Sequence, residues 1–437
     1  MRLIRILKHD LCREVATWVG KGIVSTEQAE SICSQYGVDY HKLSRRSYGY
    51  HVLVGLGCLF IGLSLITLVG ANWDEIPRAV RMFGLIALTL GANVFGLMKY
   101  RREQVSVAVT WFFLGGLLYG ASIMLIAQIY HIGEHYPDGI LWWALGVLPV
   151  AVLLESTLIM MLTVGLAFIW FFVESSMNFY PTIFPVFLVA ILWHLHRGRQ
   201  SNVLFLLLVL GLGIWAEFTL AWFMGAEKGF QPRVENVAFG VGLFVLFHGL
   251  ARFLAAAQEH RLADYGVLLG LWVLRFTIIT LFVFSFKEPW RALIEVEWQM
   301  AGLAISLSFM LCALALWLTY RSGTSMVSTV AFVLFFGMSL LAVILVEDET
   351  YDLIFQVADN ILLVAVGIWL IVRGIQSSIS HYFYVGVLAI LATGLLRYID
   401  LVGDYIGASI LFAIIAAILL LAAKYWKRHH TKAAEVS

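Results

Sequence analysis

Charge is what this 437-residue sequence has least of. Only 13% of its residues are Asp, Glu, Lys or Arg, against about 25% in a soluble domain, which excludes an ordinary soluble globular chain. Cysteine is scarce too, with four in all. Cys12 and Cys33 stand in the N-terminal segment and Cys58 and Cys312 in apolar runs, so no disulfide or cysteine-metal framework is implied. There is no basic tract with interleaved aromatics, and the net charge is +1, so nothing points to nucleic acid. Nucleophile elbow, phosphate loop and Rossmann glycine patterns are all missing, so neither an enzyme class nor a cofactor is expected. The opening "MRLIRILKHDLCREVATWVG" has Arg and Lys scattered through it and no unbroken apolar core; it does not read as a signal peptide.

What is there is apolar: 61% of the chain is hydrophobic, in runs near 20 residues that read as membrane-spanning helices. The fold class is all-α, a polytopic integral membrane helical bundle. Spans are expected near 50–70, 80–98, 105–127, 139–154, 157–173, 181–195, 202–224, 234–255, 265–286, 298–319, 326–346, 353–372, 381–397 and 405–423, fourteen in all, of which the fourth to sixth are short. With the N-terminus inside, cytoplasmic segments collect 21 of the 29 Lys and Arg and outer loops hold 7, the positive-inside bias. Both termini are then cytosolic. Pro77, Pro181, Pro232 and Pro289 fall near outer span starts, where a missing N–H is harmless.

Four regions follow: a cytosolic helical hairpin over 1–48, an N-terminal membrane region over 49–173, a C-terminal membrane region over 174–423 and a basic cytosolic tail over 424–437. In the hairpin, Leu3, Leu7, Leu11 and Val15 form a stripe that Ile4 and Trp18 widen. Ser25 and Gln28 form a capping box, and Ala29, Ile32, Cys33 and Tyr36 share the face of a second helix. It either buries its stripe in packing or docks a cytosolic protein partner.

One interruption of the apolar runs stands out, "ANWDEIPRAVRM" at 71–82. Much of it suits a helix start: Asp74 as cap, Pro77 in the first turn, Asp74 and Arg78 as an i, i+4 pair, Trp73 in the interfacial belt. Asn72 and the outward position of Arg78 and Arg81 are left over. "LGCLFIGLS" at 56–64 and "LGGLLYGAS" at 114–122 match at a constant offset of 58, which reads as a parallel repeat of helix pairs. Each copy carries a small-xxx-small pair, Cys58 with Gly62 and Gly116 with Gly120, expected to let helix backbones approach. The offset sets "NWDEIP" opposite "YHIGEH" at 130–135, so both polar turns are expected at one outer mouth.

"ANWDEIPRAVRM", followed by "AQIYH" at 127–131 and preceded by "LCREVATWVGKGIVSTEQAESICSQY", resembles a bacterial family of predicted inner-membrane proteins designated domain of unknown function 2157. The resemblance covers about the first 150 residues. It implies an inner-membrane location, brings no activity, and marks Asn72, Trp73, Asp74, Pro77, Arg78, Gln128, Tyr130 and His131 as positions.

"HIGEH" has the spacing of an inverted zinc-protease signature. Gly133 and Pro137 argue for a turn rather than one helical face, which leaves an ordinary polar loop as the first reading and His131, Glu134 and His135 as candidates for a looser metal or proton site as the second. Ionisable groups also lie inside apolar spans: Glu217, Arg275 and Asp359, with Arg397 as a counterpart of Arg275 in an echo of "VLRF" (273–276) by "LLRY" (395–398). Each ion costs at least about 2.5 kcal/mol in lipid unless it meets a partner or water, so these side chains are expected to face the interior, with one acid pairing Arg275. The alternative is a purely structural ion pair. Three functions remain open: a secondary transporter or flippase-like permease, a non-transporting scaffold or envelope sensor docking a partner through its hairpin, and a membrane-embedded hydrolase. The bilayer is the one partner implied throughout, and oligomeric state stays open.

Overall fold

The computed structural model describes residues 14–15, 18–35, 56–57, 60–61, 64, 67, 77–131, 135–197, 200–225, 233–345, 351–377 and 380–400. Every regular element among them is helical: α1 (Thr26–Gln35), α2 (Arg78–Arg101), α3 (Val105–Tyr130), α4 (Pro137–Leu153), α5 (Thr157–Ser176), α6 (Phe184–Arg197), α7 (Asn202–Phe223), α8 (Val234–Ala255), α9 (His260–Phe284), α10 (Lys287–Glu295), α11 (Ala301–Arg321), α12 (Val327–Leu345), α13 (Asp352–Ser377) and α14 (Ser380–Asp400). Among the described residues, α2, α3, α5, α7, α8, α9, α11, α12 and α13 are long and apolar enough to cross a membrane. The chain is an integral membrane protein.

Twelve of the expected spans coincide with these helices; those at 50–70 and 405–423 lie wholly or mostly outside the described residues. One difference concerns length. The fifth span, expected to be short, is the full-length α5 of 20 residues. The sixth, α6, is short as expected, 14 residues, or about 21 Å of helix against a hydrocarbon core of about 30 Å. A helix absent from the sequence reading is α10, "KEPWRALIE". Nine residues with charges on one side carry too little hydropathy to register as a span, and Pro289 serves the first turn of this short helix rather than of a span.

The chain folds as two compact units, residues 1–230 and 231–437. In the first, the N-terminal hairpin packs Val15, Ala29 and Cys33 into a small core with Trp18, Val19 and Ile32 around it. The capping box is present, Ser25 N donating to Gln28 Oε1 at 3.0 Å and Gln28 N to Ser25 Oγ at 3.2 Å. Helices α2 and α3 form an antiparallel pair, as do α4 and α5. Ser156 and Ser201 cap α5 and α7 by accepting from Ile159 N and Leu204 N, each at 3.4 Å, which satisfies donors a helix start leaves orphaned.

Gly116 and Gly120 of α3 do not admit a helix backbone. The Trp143 indole of α4 fills the space above Gly120, and its Nε1 donates to Gly116 O at 2.7 Å. The small residues open a slot for one large ring, which the spacing alone cannot distinguish from a backbone crossing. Cys58 and Gly62 of the first repeat copy, with Leu59 and Leu63, lie outside the described residues.

In the second unit, glycines do bring backbones together. A Cβ on Gly249 (α8) would lie 2.6 Å from Ala315 O of α11, and one on Gly386 (α14) 2.6 Å from Gly367 O of α13. Gly266 of α9 abuts the backbone of Leu254 and Ala255 in the same way. These contacts tie α8 to α9 and α11, and α13 to α14. Glu235, 1% exposed, accepts from Met300 N at 2.9 Å and so joins the start of α8 to that of α11.

Candidate functional site

The second unit contains a half-enclosed cavity of about 130 Å³ between α8, α9, α10, α12 and α13. Its walls are apolar because the helices that form it present Val, Leu and Phe on their facing stripes: Val241, Phe244, Leu281, Phe332, Phe336 and Leu340 among them. Val234 and His248 both line it. They stand fourteen residues apart on α8, so the cavity runs about 21 Å along that helix, more than the roughly 15 Å of one hydrocarbon leaflet.

Asp359 lines this cavity from α13. It is 1% exposed, and its Oδ2 has no hydrogen-bond partner. A buried polar atom in that state is rare and costs free energy. The other polar groups of the wall are mostly committed elsewhere. The Thr277 hydroxyl donates to Val273 O at 2.8 Å, and His248 Nε2 lies 3.2 Å from Ser328 Oγ. Trp298 Nε1, toward the Val234 end, is a second buried polar atom without a partner.

Beyond His248 lies a hydrogen-bond network. Arg252 donates from Nε to Thr324 Oγ1 at 3.1 Å, from Nη2 to Ser325 O at 2.8 Å, and from Nη1 to Ser328 Oγ at 3.4 Å. The turn between α11 and α12 is thereby fastened to the last turn of α8. Around the opposite end, α9 stops at Ser285, whose carbonyl accepts from Gln356 Nε2 and Asn360 Nδ2, each at 3.1 Å. Trp290 of α10 donates from Nε1 to Phe284 O at 2.7 Å and stacks on Phe355 of α13. Asp352, 1% exposed, holds α10 through Lys287 Nζ at 3.2 Å and Arg291 Nη2 at 3.5 Å.

The other intramembrane charges fall differently. Arg275 is exposed on the surface of its unit, its guanidinium 5.1 Å from the Trp272 ring centroid. It makes no ion pair with Asp359, although an acid partner was expected of it. The aromatic face supplies a cation–π contact in place of the interior acid that a charge within a span was expected to meet. Glu217 is half-buried on α7 in the first unit. Arg397 is half-buried, 5.7 Å from the Phe286 ring centroid. The proposed equivalence of Arg275 and Arg397 gains nothing from this, since each stands over a ring from a different place in the fold. The buried acid that does have cations is Asp352, which sequence reasoning missed. Its signal was the pairing of an acidic loop, "VEDETYD", with the cations of "KEPWR".

Of the motif positions, Asn72, Trp73, Asp74 and Glu134 lie outside the described residues. Arg78 begins α2, and Gln128 and Tyr130 end α3, so the antiparallel pairing brings them to one end of the hairpin. All are exposed, and no hydrogen bond joins Arg78, Gln128, Tyr130 and His131 to one another. Ser122, the last residue of the second repeat copy, lies 2.9 Å from Thr89 Oγ1 and holds the two helices together. His131 closes α3 in the left-handed conformation, φ 50°, a position more usual for glycine. His135 Nε2 sits 2.8 Å from Glu174 Oε2 of α5, beneath the Phe179 ring. That imidazole thus faces a carboxylate of α5. Among the described residues no cluster of three or more metal-ligating side chains occurs.

Both motifs fall within a stretch that has known relatives. Residues 16–160 match the family described as predicted membrane protein (DUF2157). The DUF2157 stretch covers about a third of the chain and leaves the cavity outside it. A further similarity is to the lysophospholipid transporter LplT of Photorhabdus laumondii, 31% identical over 93 residues. That alignment takes in 20% of this chain and 23% of the relative, so the chain spans under a quarter of the curated relative it matches. No solved structure matches the chain.

Proposed function

We propose that this protein is a secondary permease for single-chain amphiphiles, with the cavity of the second unit as its substrate site. One observation carries the reading: a carboxyl buried in the span α13 opens onto an elongated apolar cavity whose wall, among the described residues, holds no Lys or Arg. The other two buried acids described in this unit are matched within the fold, Asp352 by Lys287 and Arg291 and Glu235 by the backbone N–H of Met300. The similarity to a lysophospholipid transporter supports it, since such cargo has one hydrocarbon chain and a polar head. With both termini in the cytosol of a bacterial inner membrane, the Val234 end of the cavity faces outward. The Arg252 network then forms the inner closure that alternating access must open.

That orientation is tested by reporter fusions. A reporter after Arg102, between α2 and α3, should read cytosol, and one after Val296, between α10 and α11, should read the outside. A cytosolic signal from the second position would invert the scheme.

Transport is tested in proteoliposomes with a fluorescently labelled lysophospholipid and a membrane-impermeant quencher. The wild-type chain should move label to the protected leaflet faster than protein-free vesicles do. Asp359→Asn should remove most of that rate while keeping normal yield and melting, whereas Arg275→Gln should retain it. No difference between wild type and empty vesicles would refute the permease reading.

A further inference from the structure

We infer that the ligand of the second-unit cavity carries a cationic nitrogen, and that Asp359 is the group that binds it. This deepens the permease reading and rests on the cavity being a substrate site.

The argument is one of missing charge. Asp359 is 1% exposed and Oδ2 has no partner, while every other wall residue is apolar, aromatic, hydroxyl-bearing or His248. Among the described residues the neighbouring cations are placed elsewhere, Arg397 over the Phe286 ring. Lys287 and Arg291 are on Asp352, Arg252 is on Thr324, Ser325 and Ser328, and Arg275 lies over Trp272 on the outer surface. A carboxylate in such a place is stable only if its charge is matched on arrival of the ligand or if it is held neutral by a proton. An ammonium group supplies both the charge and the donors that Oδ2 lacks, and charge-assisted bonds of this kind are the strong ones. An anionic head would face Asp359 with no cation to offset it.

The rest of the cavity sets the body of the ligand. A space of about 130 Å³ is comparable to the apolar cavity of about 150 Å³ that admits one benzene. It therefore fits a ring or a short alkyl segment beside the acid, with any longer chain following the apolar walls toward Val234.

Calorimetry on the full chain in phosphatidylcholine nanodiscs, with empty nanodiscs subtracted, can read this with three probes of equal length: hexylammonium, hexanol and hexanoate. Wild type should bind hexylammonium about tenfold or more tightly than hexanol, the preference expected of one charge-assisted bond, and hexanoate least. In Asp359→Asn the preference for the cation should vanish while hexanol binds as before, which also reports that the cavity is intact. Should that variant fail to fold, the order of the three probes on wild type still decides. Equal binding of hexanol and hexylammonium to wild type, tightest binding of hexanoate, or a retained cation preference in Asp359→Asn would each overturn the inference. The transport assay fails or succeeds separately. Cation preference without lysophospholipid movement would leave a binding site in a non-transporting protein, and movement without the preference would leave a permease for neutral or anionic heads.

Discussion

Gly266→Ala is expected to prevent stable folding of the second unit, while Gly270→Ala, one turn further along the same helix, leaves it intact. A Cβ at Gly266 would collide with the backbone of Leu254 and Ala255 in α8, whereas one at Gly270 meets only the Ala251 methyl at 3.8 Å. Overpacking of side chains costs about 1 to 3 kcal/mol because side chains shift. Here the opposing atoms are main chain, hydrogen-bonded within α8, and yield only if the two helices separate. The cost should therefore reach or exceed about 3 kcal/mol, the upper end of that range. Gly270→Ala meets ordinary van der Waals distance and gains helix propensity, up to about 1 kcal/mol. Melting of the purified variants in nanodiscs measures both. If Gly266→Ala melts within a degree or two of wild type, the close approach of α8 and α9 is not what holds them.

The second large effect belongs to Asp352. Its carboxylate is 1% exposed, while Lys287 and Arg291 are 42% and 45% exposed. Lys287→Met or Arg291→Met alone leaves one cation in place and removes a partly solvated partner, so each should cost under about 1 kcal/mol. The double variant strands a buried ion, and that should cost about 3 kcal/mol. Adding Asp352→Asn to the double variant should return most of the loss, because no charge is then left to desolvate. The signature is non-additivity between neighbours, read from denaturation midpoints. If the double loss equals the sum of the singles and the triple variant regains nothing, the acid is solvated through the α10 end and the pairing is incidental.

These two cases show where the sequence could be read and where it could not. A span is a property of about twenty consecutive residues, so α8, α9, α11, α12 and α13 were visible in advance to within a few positions. The Ser25–Gln28 capping box is local in the same way. A charge within a span was equally plain, and Asp359 was named from its position alone. Its partner was not legible, because pairing depends on which helix faces which. Asp352 with Lys287 and Arg291 joins residues more than sixty positions apart, and neither cation belongs to a span. Gly116 and Gly120 teach a related lesson: a small-xxx-small pair marks a groove, but whether a backbone or an indole fills it depends on the neighbouring helix.

The sequence by itself determined that this is an all-helical membrane protein, where most of its apolar helices run, and which ionisable groups they carry, because hydropathy and backbone hydrogen bonding act along the chain. Only the tertiary structure decided that Arg275 turns outward onto Trp272, that Asp352 takes the cations of α10, and that Asp359 is left at the wall of a cavity with one oxygen unpaired. Those outcomes follow from lateral packing of helices distant in sequence, where glycine contacts and aromatic rings set which faces meet, and a linear pattern carries no record of that choice.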